Sequence, residues 1–92
     1  MSSADIQDFA FDDENEDKLH RHGLSARRVR QILDGVNVVV RNKGAARGEY
    51  LVIGRDHGGA AITVSVEATN DPKIWRPVTG WPSAKHEIAR LV

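Results

Sequence analysis

The stretch Ile74-Trp75-Arg76-Pro77-Val78-Thr79-Gly80-Trp81 holds both tryptophans of the chain and decides its fold. Its β-branched and aromatic residues favour a strand. Pro77 has no N–H to donate to a neighbouring strand, so we expect an edge strand or a bulge here. Large aromatics, an arginine and two backbone-distorting residues rarely crowd the end of a strand unless a surface is shaped there. We therefore expect both a strand and a functional surface in this run.

More strands precede this run. Three segments are rich in β-branched residues or alternate between apolar and polar ones: residues 36–40, 50–53 and 62–67. The connecting loops are short and contain the Gly, Asn, Asp and Pro that turns favour, at residues 43–48, 56–59 and 70–72. Such short links favour antiparallel neighbours. Residues 9–11 alternate as a short first strand would, which predicts a four- to five-stranded, mainly antiparallel meander.

Two helices are expected before the sheet. Asp12 caps the first, whose acidic first turn and basic last turn complement the helix dipole before Gly23. Ser25 caps the second, which has an apolar stripe and ends at Gly35. A short helix over residues 83–91 closes the chain. The predicted fold class is α+β, with two N-terminal helices, the meander sheet and a short C-terminal helix.

Length and composition limit the kind of protein. A chain of 92 residues predicts a single domain over 1–92, and residues 1–7 have the character of a flexible leader. No apolar run approaches the ~18–20 residues of a membrane span, and the N-terminus lacks the pattern of a signal peptide. We therefore expect a cytoplasmic protein without a membrane partner. The chain has no cysteine, which excludes disulfides and thiolate metal sites.

Charge is distributed unevenly although the formal net charge is zero. Every ionisable residue over 5–17 is acidic, whereas bases dominate over 18–55. A basic middle suits nucleic acid, and an acidic arm suits a basic partner or shields the basic surface. A solvated helix face beside a frayed tail explains the same pattern. Arg27 and Arg28 lie in the first turn of the second helix, where the dipole disfavours cations, so they are functional candidates or merely solubilising residues.

The motifs of several enzyme classes are missing. There is no nucleophile elbow, no phosphate loop and no His-Glu-x-x-His helix, so we expect neither a metal nor a cofactor. Arginines, carboxylates, histidine and tyrosine remain, which suit a metal-independent ribonuclease or a nucleic-acid-binding module equally. Glu67 faces away from the apolar side of its strand, whereas Arg76 falls among apolar residues. A structural Arg76–Glu67 bridge is slightly favoured over a catalytic pair.

The order of motifs resembles the BrnT family, whose members are small ribonuclease toxins of type II toxin–antitoxin systems with a compact RelE-like fold. The matching segments span nearly the whole chain: Phe11-Asp12, 18–25, 29–33, 52–54, Val66-Glu67, 76–80 and Glu87. The helix end at His22-Gly23 is the sharpest of them. The resemblance implies metal-independent RNA cleavage, a cognate antitoxin protein that covers the active surface, and a bacterial operon.

Two departures from the family pattern concern arginines. The family usually has serine-alanine-arginine after the last strand, and Thr79, Gly80 and Trp81 occupy those positions. Trp81 therefore stands where the resemblance places a catalytic cation. Glu49 similarly stands where the family tends to have an arginine. Loss of a cation that stabilises developing charge costs on the order of 10²–10³ in rate unless another arginine substitutes.

Three hypotheses follow. In the first, a BrnT-like ribonuclease toxin uses Arg55 and Arg76 on phosphate, with Glu67 or His22 as general base. RNA-binding residues would then be Arg27, Arg28, Arg41, Arg47, Tyr50 and Trp81, with Trp81 stacking on a base. In the second, a non-catalytic relative binds nucleic acid or protein with the same fold. In the third, a structural domain uses its tryptophans to fill the core.

Overall fold

The computed structural model describes residues 5–44 and 47–91. Its elements are β1 (Asp8–Phe9), α1 (Asp13–Arg21), α2 (Ala26–Gln31), β2 (Asn37–Arg41), β3 (Tyr50–Arg55), β4 (Ala61–Ala68), β5 (Ile74–Pro82), α3 (Lys85–Ile88) and a 3-10 helix (Ala89–Leu91). The predicted α+β class is confirmed. None of the helices in the described part is long and apolar enough to span a membrane.

The five strands form one sheet in the order β1-β5-β4-β3-β2. Strands β2 to β5 are the expected antiparallel meander. Strand β1 pairs in parallel with β5, with Phe9 opposite Trp75, so the sheet is mixed. It ends two residues earlier than expected at 11, because the chain turns after Ala10 to enter α1. The mainly antiparallel sheet is confirmed, and the parallel pair is a feature that the sequence did not indicate.

The N-terminal helices start at their expected caps. Asp12 accepts a hydrogen bond from the N–H of Asn15 at 2.8 Å, and the Asn15 side chain accepts one from the N–H of Asp12 at 3.0 Å. Ser25 accepts from the N–H of Arg28. Helix α2 ends at Gln31, earlier than the expected Gly35, because the chain tightens into i to i+3 hydrogen bonds over residues 32–34.

The described residues before β1 are attached to the rest of the fold. The N–H of Gln7 donates to the carbonyl of Lys73 at 2.8 Å, and Ile6 packs against the core. Residues 1–4 of the expected leader lie outside the described residues. The segment that enters β1 is thus already held by the β4–β5 loop.

The main core lies between the helices and one face of the sheet. It contains buried aliphatic residues of both layers together with two aromatics: Phe9, Leu19, Leu24, Val29, Ile32, Val52, Ile62, Val64, Val66 and Trp75. Trp75 is 8% exposed, and its indole N–H donates to the carbonyl of Pro72. The Tyr50 ring meets it edge to face at 5.3 Å. One of the two tryptophans therefore fills the core, as the structural hypothesis expected of both.

The other face of the sheet is partly covered by the C-terminal helices. Ile53, Thr63 and Ser65 are buried there, and the 3-10 helix packs against β2 and β3. The predicted C-terminal helix of 83–91 begins later and is split. Ser83 remains tied to the sheet, since its N–H donates to Ala61 and its hydroxyl lies 2.8 Å from that of Thr63.

An irregularity in β5 lies at the predicted proline. Ser65 pairs with Thr79 and Val66 with Pro77, so Val78 is an extra residue opposite β4. Because Pro77 has no N–H for the ladder, the bulge forms at this point. From Thr79 onwards the bulge changes which side of the sheet each residue of β5 faces. Trp75 consequently lies on the core side, while Trp81, opposite Thr63, lies on the other side.

Candidate functional site

Arg76 lies at the centre of an ion-pair cluster, the Arg76 cluster, made with Glu67, Asp12, Glu14 and Arg47. The register places Arg76 opposite Glu67, and their Nη1 and Oε2 atoms are 2.9 Å apart. Helix α1 packs against β5 and adds carboxylates from its N-cap and first turn: Arg76 Nε is 2.7 Å from Asp12 Oδ2 and Nη2 is 2.8 Å from Glu14 Oε1. Arg47 binds the second oxygen of Glu67 at 3.1 Å.

The titration of these groups follows from their contacts. The hydrogen bond to Asp12 is the largest cause that raises the pKa of Arg76. Burial tends to raise the pKa of Glu67, but hydrogen bonds from Arg47 and Arg76 outweigh it and lower that pKa. A carboxylate held ionised by two arginines is a weak base, and an arginine bound to three carboxylates has few donors left for phosphate. The geometry matches the structural Arg76–Glu67 bridge.

His22 lies at the C-terminal end of α1, beside the Arg76 cluster. With Lys18, Arg21, Arg47 and Thr79 it lines an open groove of about 330 Å³. The structure therefore brings His22 and Arg47 into one groove, and Arg47 in turn contacts Glu67. No hydrogen bond to the His22 ring is formed by the part of the chain that the structure describes. Nothing there holds its imidazole in one orientation.

Arg55 lies at the far end of β3 from this cluster. Its Nη1 donates to the carbonyl of Gly59 at 2.9 Å, across the β3–β4 turn. It lines a separate groove of about 430 Å³, the His57 groove, with Asp34, Val36, His57 and Leu91 among the other lining residues. Arg55 and Arg76, expected to act on one phosphate, are therefore not brought together.

His57 was not among the predicted site residues. Its Nε2 lies 2.8 Å from Asp34 Oδ2, so it is not an isolated surface histidine. This hydrogen bond is also the largest cause that lowers the pKa of Asp34. The two residues are 23 positions apart in sequence and come from a helix end and a hairpin turn. No motif spacing indicates such a pair, which only the packing of α2 on the β3–β4 turn creates.

The two arginines in the first turn of α2 have different surroundings. Arg28 Nε is 2.9 Å from Asp56 Oδ2, whose side chain is 6% exposed, and Nη1 donates to the carbonyl of Gly23. The unfavourable position in the helix dipole is thus offset by a buried carboxylate. Arg27 is exposed, and no described residue forms an ion pair with it. Of the two predicted RNA-binding residues, Arg28 has a structural partner.

Trp81 lines a third groove, which is larger than the other two. We call it the Trp81 groove; it has a volume of about 730 Å³, and its charged and aromatic lining residues are Arg41, Lys43, Trp81, His86 and Arg90. Val40 and Leu51 form part of its apolar wall. The basic residues come from the end of β2, the following loop and the two C-terminal helices. Lys43, His86 and Arg90 were not among the predicted site residues.

The indole of Trp81 is fixed by hydrogen bonds to Glu87. Its Nε1 donates to Glu87 Oε1 at 3.1 Å and Oε2 at 3.3 Å. Glu87 is 6% exposed, and its Oε1 also accepts the N–H of Ala84 at 2.8 Å, which caps the start of α3. The ring itself is half-buried. Its polar edge is therefore occupied by Glu87, and the exposed part of the ring is apolar.

The cations of the Trp81 groove lack carboxylate partners within the described ranges. No Asp or Glu among residues 5–44 and 47–91 forms an ion pair with Arg41, Lys43 or Arg90. Arg41 instead lies over the Tyr50 ring, 5.7 Å from its centre. Tyr50 is half-buried against the core, so its role here is to support Arg41.

No protein-family model, curated protein or solved structure matches this chain. Three features therefore define the candidate sites: the ion-paired Arg76 cluster, the His57 groove and the cationic Trp81 groove. Within the described residues, no group of three or more His, Asp or Glu side chains is arranged to hold a metal ion.

Proposed function

We propose that this protein binds single-stranded RNA in the Trp81 groove and acts as an RNA-directed toxin of the BrnT type. The observation that supports it best is the fixed indole of Trp81 in one groove with Lys43 and Arg90, two cations that have no carboxylate partners among the described residues. Base stacking on an aromatic ring contributes about 1–3 kcal/mol per base. Arginine and lysine beside it bind the flanking phosphates.

The position of Glu87 supports stacking over other roles for Trp81. An indole whose N–H is already bound to a carboxylate has no donor for a ligand. Its remaining surface is the apolar ring, which every base can stack on. The orientation is set before binding, so little side-chain entropy is lost on association. RNA is favoured over duplex DNA because unpaired bases are free to stack.

The charge of the groove supports nucleic acid over a neutral peptide. Lys43 and Arg90 line it with His86 and with Arg41, whose guanidinium lies over the Tyr50 ring. In the toxin that we propose, the cognate antitoxin is a protein that covers this cationic surface with acidic residues. The RNA and the antitoxin would then compete for one groove.

Binding is tested with a fluorescently labelled single-stranded RNA and anisotropy. We expect Trp81→Ala and Lys43→Ala each to weaken binding, the first by roughly 5- to 160-fold because it removes one stacked base. Lys85→Ala is the matched control, because Lys85 is an exposed cation on α3 that does not line the groove. Each phosphate that a variant no longer neutralises should reduce the slope of log affinity against log salt by about 0.7. Equal affinity for the variants and the wild type would refute the proposal.

RNA cleavage is the activity that a toxin of the BrnT type would add to RNA binding, and one specific observation favours it. Within the described part of the chain, the Arg55 guanidinium is bound only through Nη1 to the Gly59 carbonyl, whereas Arg76 is bound to three carboxylates. In the cleaving enzyme that we propose, Arg55 rather than Arg76 stabilises the phosphate. Induced expression in bacteria should arrest growth, and Arg55→Ala should relieve the arrest while the variant remains folded.

A further inference from the structure

The Asp34–His57 pair is held in one geometry by several contacts. The backbone N–H of His57 donates to the side-chain carbonyl of Gln31 at 3.0 Å. Asp34 is itself oriented by Arg30, whose Nη1 lies 3.2 Å from Asp34 Oδ1. The ring of His57 is nevertheless largely open to solvent, with 64% of the side chain exposed. An imidazole is thus oriented by a carboxylate and still accessible.

The turn that presents His57 is also fixed. Asp56 accepts the N–H of Ala60 at 2.9 Å and the Nε–H of Arg28 at 2.9 Å. The carbonyl of Asp56 accepts the N–H of Gly59, which has a φ of 91° that glycine tolerates. The β3–β4 turn is therefore fastened to α2 on one side and closed on itself. His57 does not depend on a mobile loop for its position.

The contact with Asp34 determines which nitrogen is reactive. In the neutral imidazole, Nε2 must carry the proton to donate to Asp34 Oδ2, so Nδ1 carries the lone pair. Within residues 5–44 and 47–91, Nδ1 has no hydrogen-bond partner. A histidine whose second nitrogen is held by a carboxylate and whose first is unoccupied is arranged as a general base.

Arg55 lines the same groove as the pair. Apart from the bond to the Gly59 carbonyl, its N–H groups have no partner in the described part of the chain. Val36, which is 78% exposed, and Leu91 supply an apolar wall. The groove therefore combines a cation for an oxyanion, an oriented base and an apolar surface. These are the parts required for proton abstraction next to a phosphate.

We propose that His57 is the catalytic base of RNA cleavage, that Asp34 is its positioning residue and that Arg55 holds the scissile phosphate. This inference rests on the proposed binding of RNA. Nδ1 accepts the proton of a ribose 2′-hydroxyl, O2′ bonds to phosphorus, and the bond from phosphorus to the 5′-oxygen breaks. The departing oxygen takes a proton from water, and the imidazolium proton neutralises the hydroxide. The products are a 2′,3′-cyclic phosphate and a 5′-hydroxyl.

One strand of RNA can reach both grooves. Arg90 and Leu91 are neighbours in the 3-10 helix, and they line the Trp81 groove and the His57 groove respectively. The two grooves also share strand β2, since Val36 precedes it and Arg41 ends it. Five residues of strand span about 17 Å, which is a few nucleotides. The phosphate that is cleaved in the His57 groove therefore lies a few nucleotides along the RNA from the base that stacks on Trp81.

The test is cleavage of a labelled single-stranded RNA in the presence of a metal chelator, with RNA binding measured in parallel. The variants are His57→Gln, Asp34→Asn and Asp34→Glu in the full chain. His20→Gln is the matched control, because His20 is an exposed α1 histidine that lines none of these three grooves. A strand with a 2′-deoxy residue at the cleaved position serves as the chemical control.

We expect His57→Gln to lower kcat at least about 100-fold without changing RNA affinity, which is the usual loss of a general base. Asp34→Asn should lower kcat at unchanged KM, and Asp34→Glu should partly restore it. The deoxy strand should remain intact. If wild-type protein binds RNA and leaves it whole, or if His57→Gln cleaves at the wild-type rate, the assignment of His57 is overturned and RNA binding stands. If RNA does not bind at all, the proposed function itself fails.

Discussion

Replacing Glu87 tests whether one buried carboxylate supports both α3 and the Trp81 groove. Glu87→Ala removes the acceptor for the Ala84 N–H and for the Trp81 indole N–H. Loss of the helix cap costs about 1 kcal/mol. The indole bond to a charged acceptor contributes roughly 1–2 kcal/mol, at the low end for such bonds because water reaches the half-buried ring. We expect the free energy of unfolding to fall by about 2–3 kcal/mol.

The matched variant is Glu87→Gln, which keeps an acceptor oxygen of the same shape. Urea unfolding monitored by circular dichroism gives both free energies, and a loss of about 2–3 kcal/mol in a domain of this size lowers the Tm by about 8–24 °C. RNA affinity should fall in Glu87→Ala, since the indole is then free to rotate. The reasoning is refuted if Glu87→Ala loses less than about 0.5 kcal/mol, or if Glu87→Gln is equally destabilised.

Other predictions concern the core, the bulged strand and acid stability. Gly80→Ala should lower the unfolding free energy by about 1–3 kcal/mol in urea, because its Cβ would lie 2.9 Å from Leu19 Cδ2; unchanged stability would contradict the packing. Trp75→Ala should cost about 3–5 kcal/mol, and a smaller loss than in Trp81→Ala would reverse their core and surface assignments. The lowered pKa of Glu67 contributes stability above its unfolded value of 4.5, and this is lost as pH falls through the folded pKa. Acid unfolding of Arg76→Ala should therefore be less steep, and an identical pH profile would argue against the cluster.

The order of elements could be predicted because it depends on local chemistry. Asp12 and Ser25 cap helices through side-chain oxygens, and Pro77 causes a bulge because it lacks an N–H. The face on which each tryptophan lies could not be predicted. One extra residue, Val78, inverts the alternation between Trp75 and Trp81, and a sequence does not show on which side of a proline a bulge forms.

The predicted site residues were separated by the topology. Arg55 and Arg76 both lie on strands of the meander, but at different ends of the sheet. His57 and Asp34 became partners through the docking of α2, for which no local signal exists. Conversely, the bridge between Glu67 and Arg76 was expected because a buried arginine needs a carboxylate partner, and the register of β4 and β5 places the two residues opposite each other on one face. Residue pairs across adjacent strands can be predicted when the strand register can be predicted. Pairs between a helix and the sheet cannot.

The parallel pairing of β1 with β5 has a consequence for the order of folding. Phe9 pairs with Trp75, although most of the sequence separates them. Next to this pair, Asp12 forms an ion pair with Arg76, which is 64 positions away in sequence. Strands β2 to β5 are linked by short turns, so the meander closes at low entropic cost. Strand β1 is synthesised before β5, so it has no strand to join until β5 has left the ribosome. We expect it to dock last and to be the part of a newly made chain most open to proteolysis.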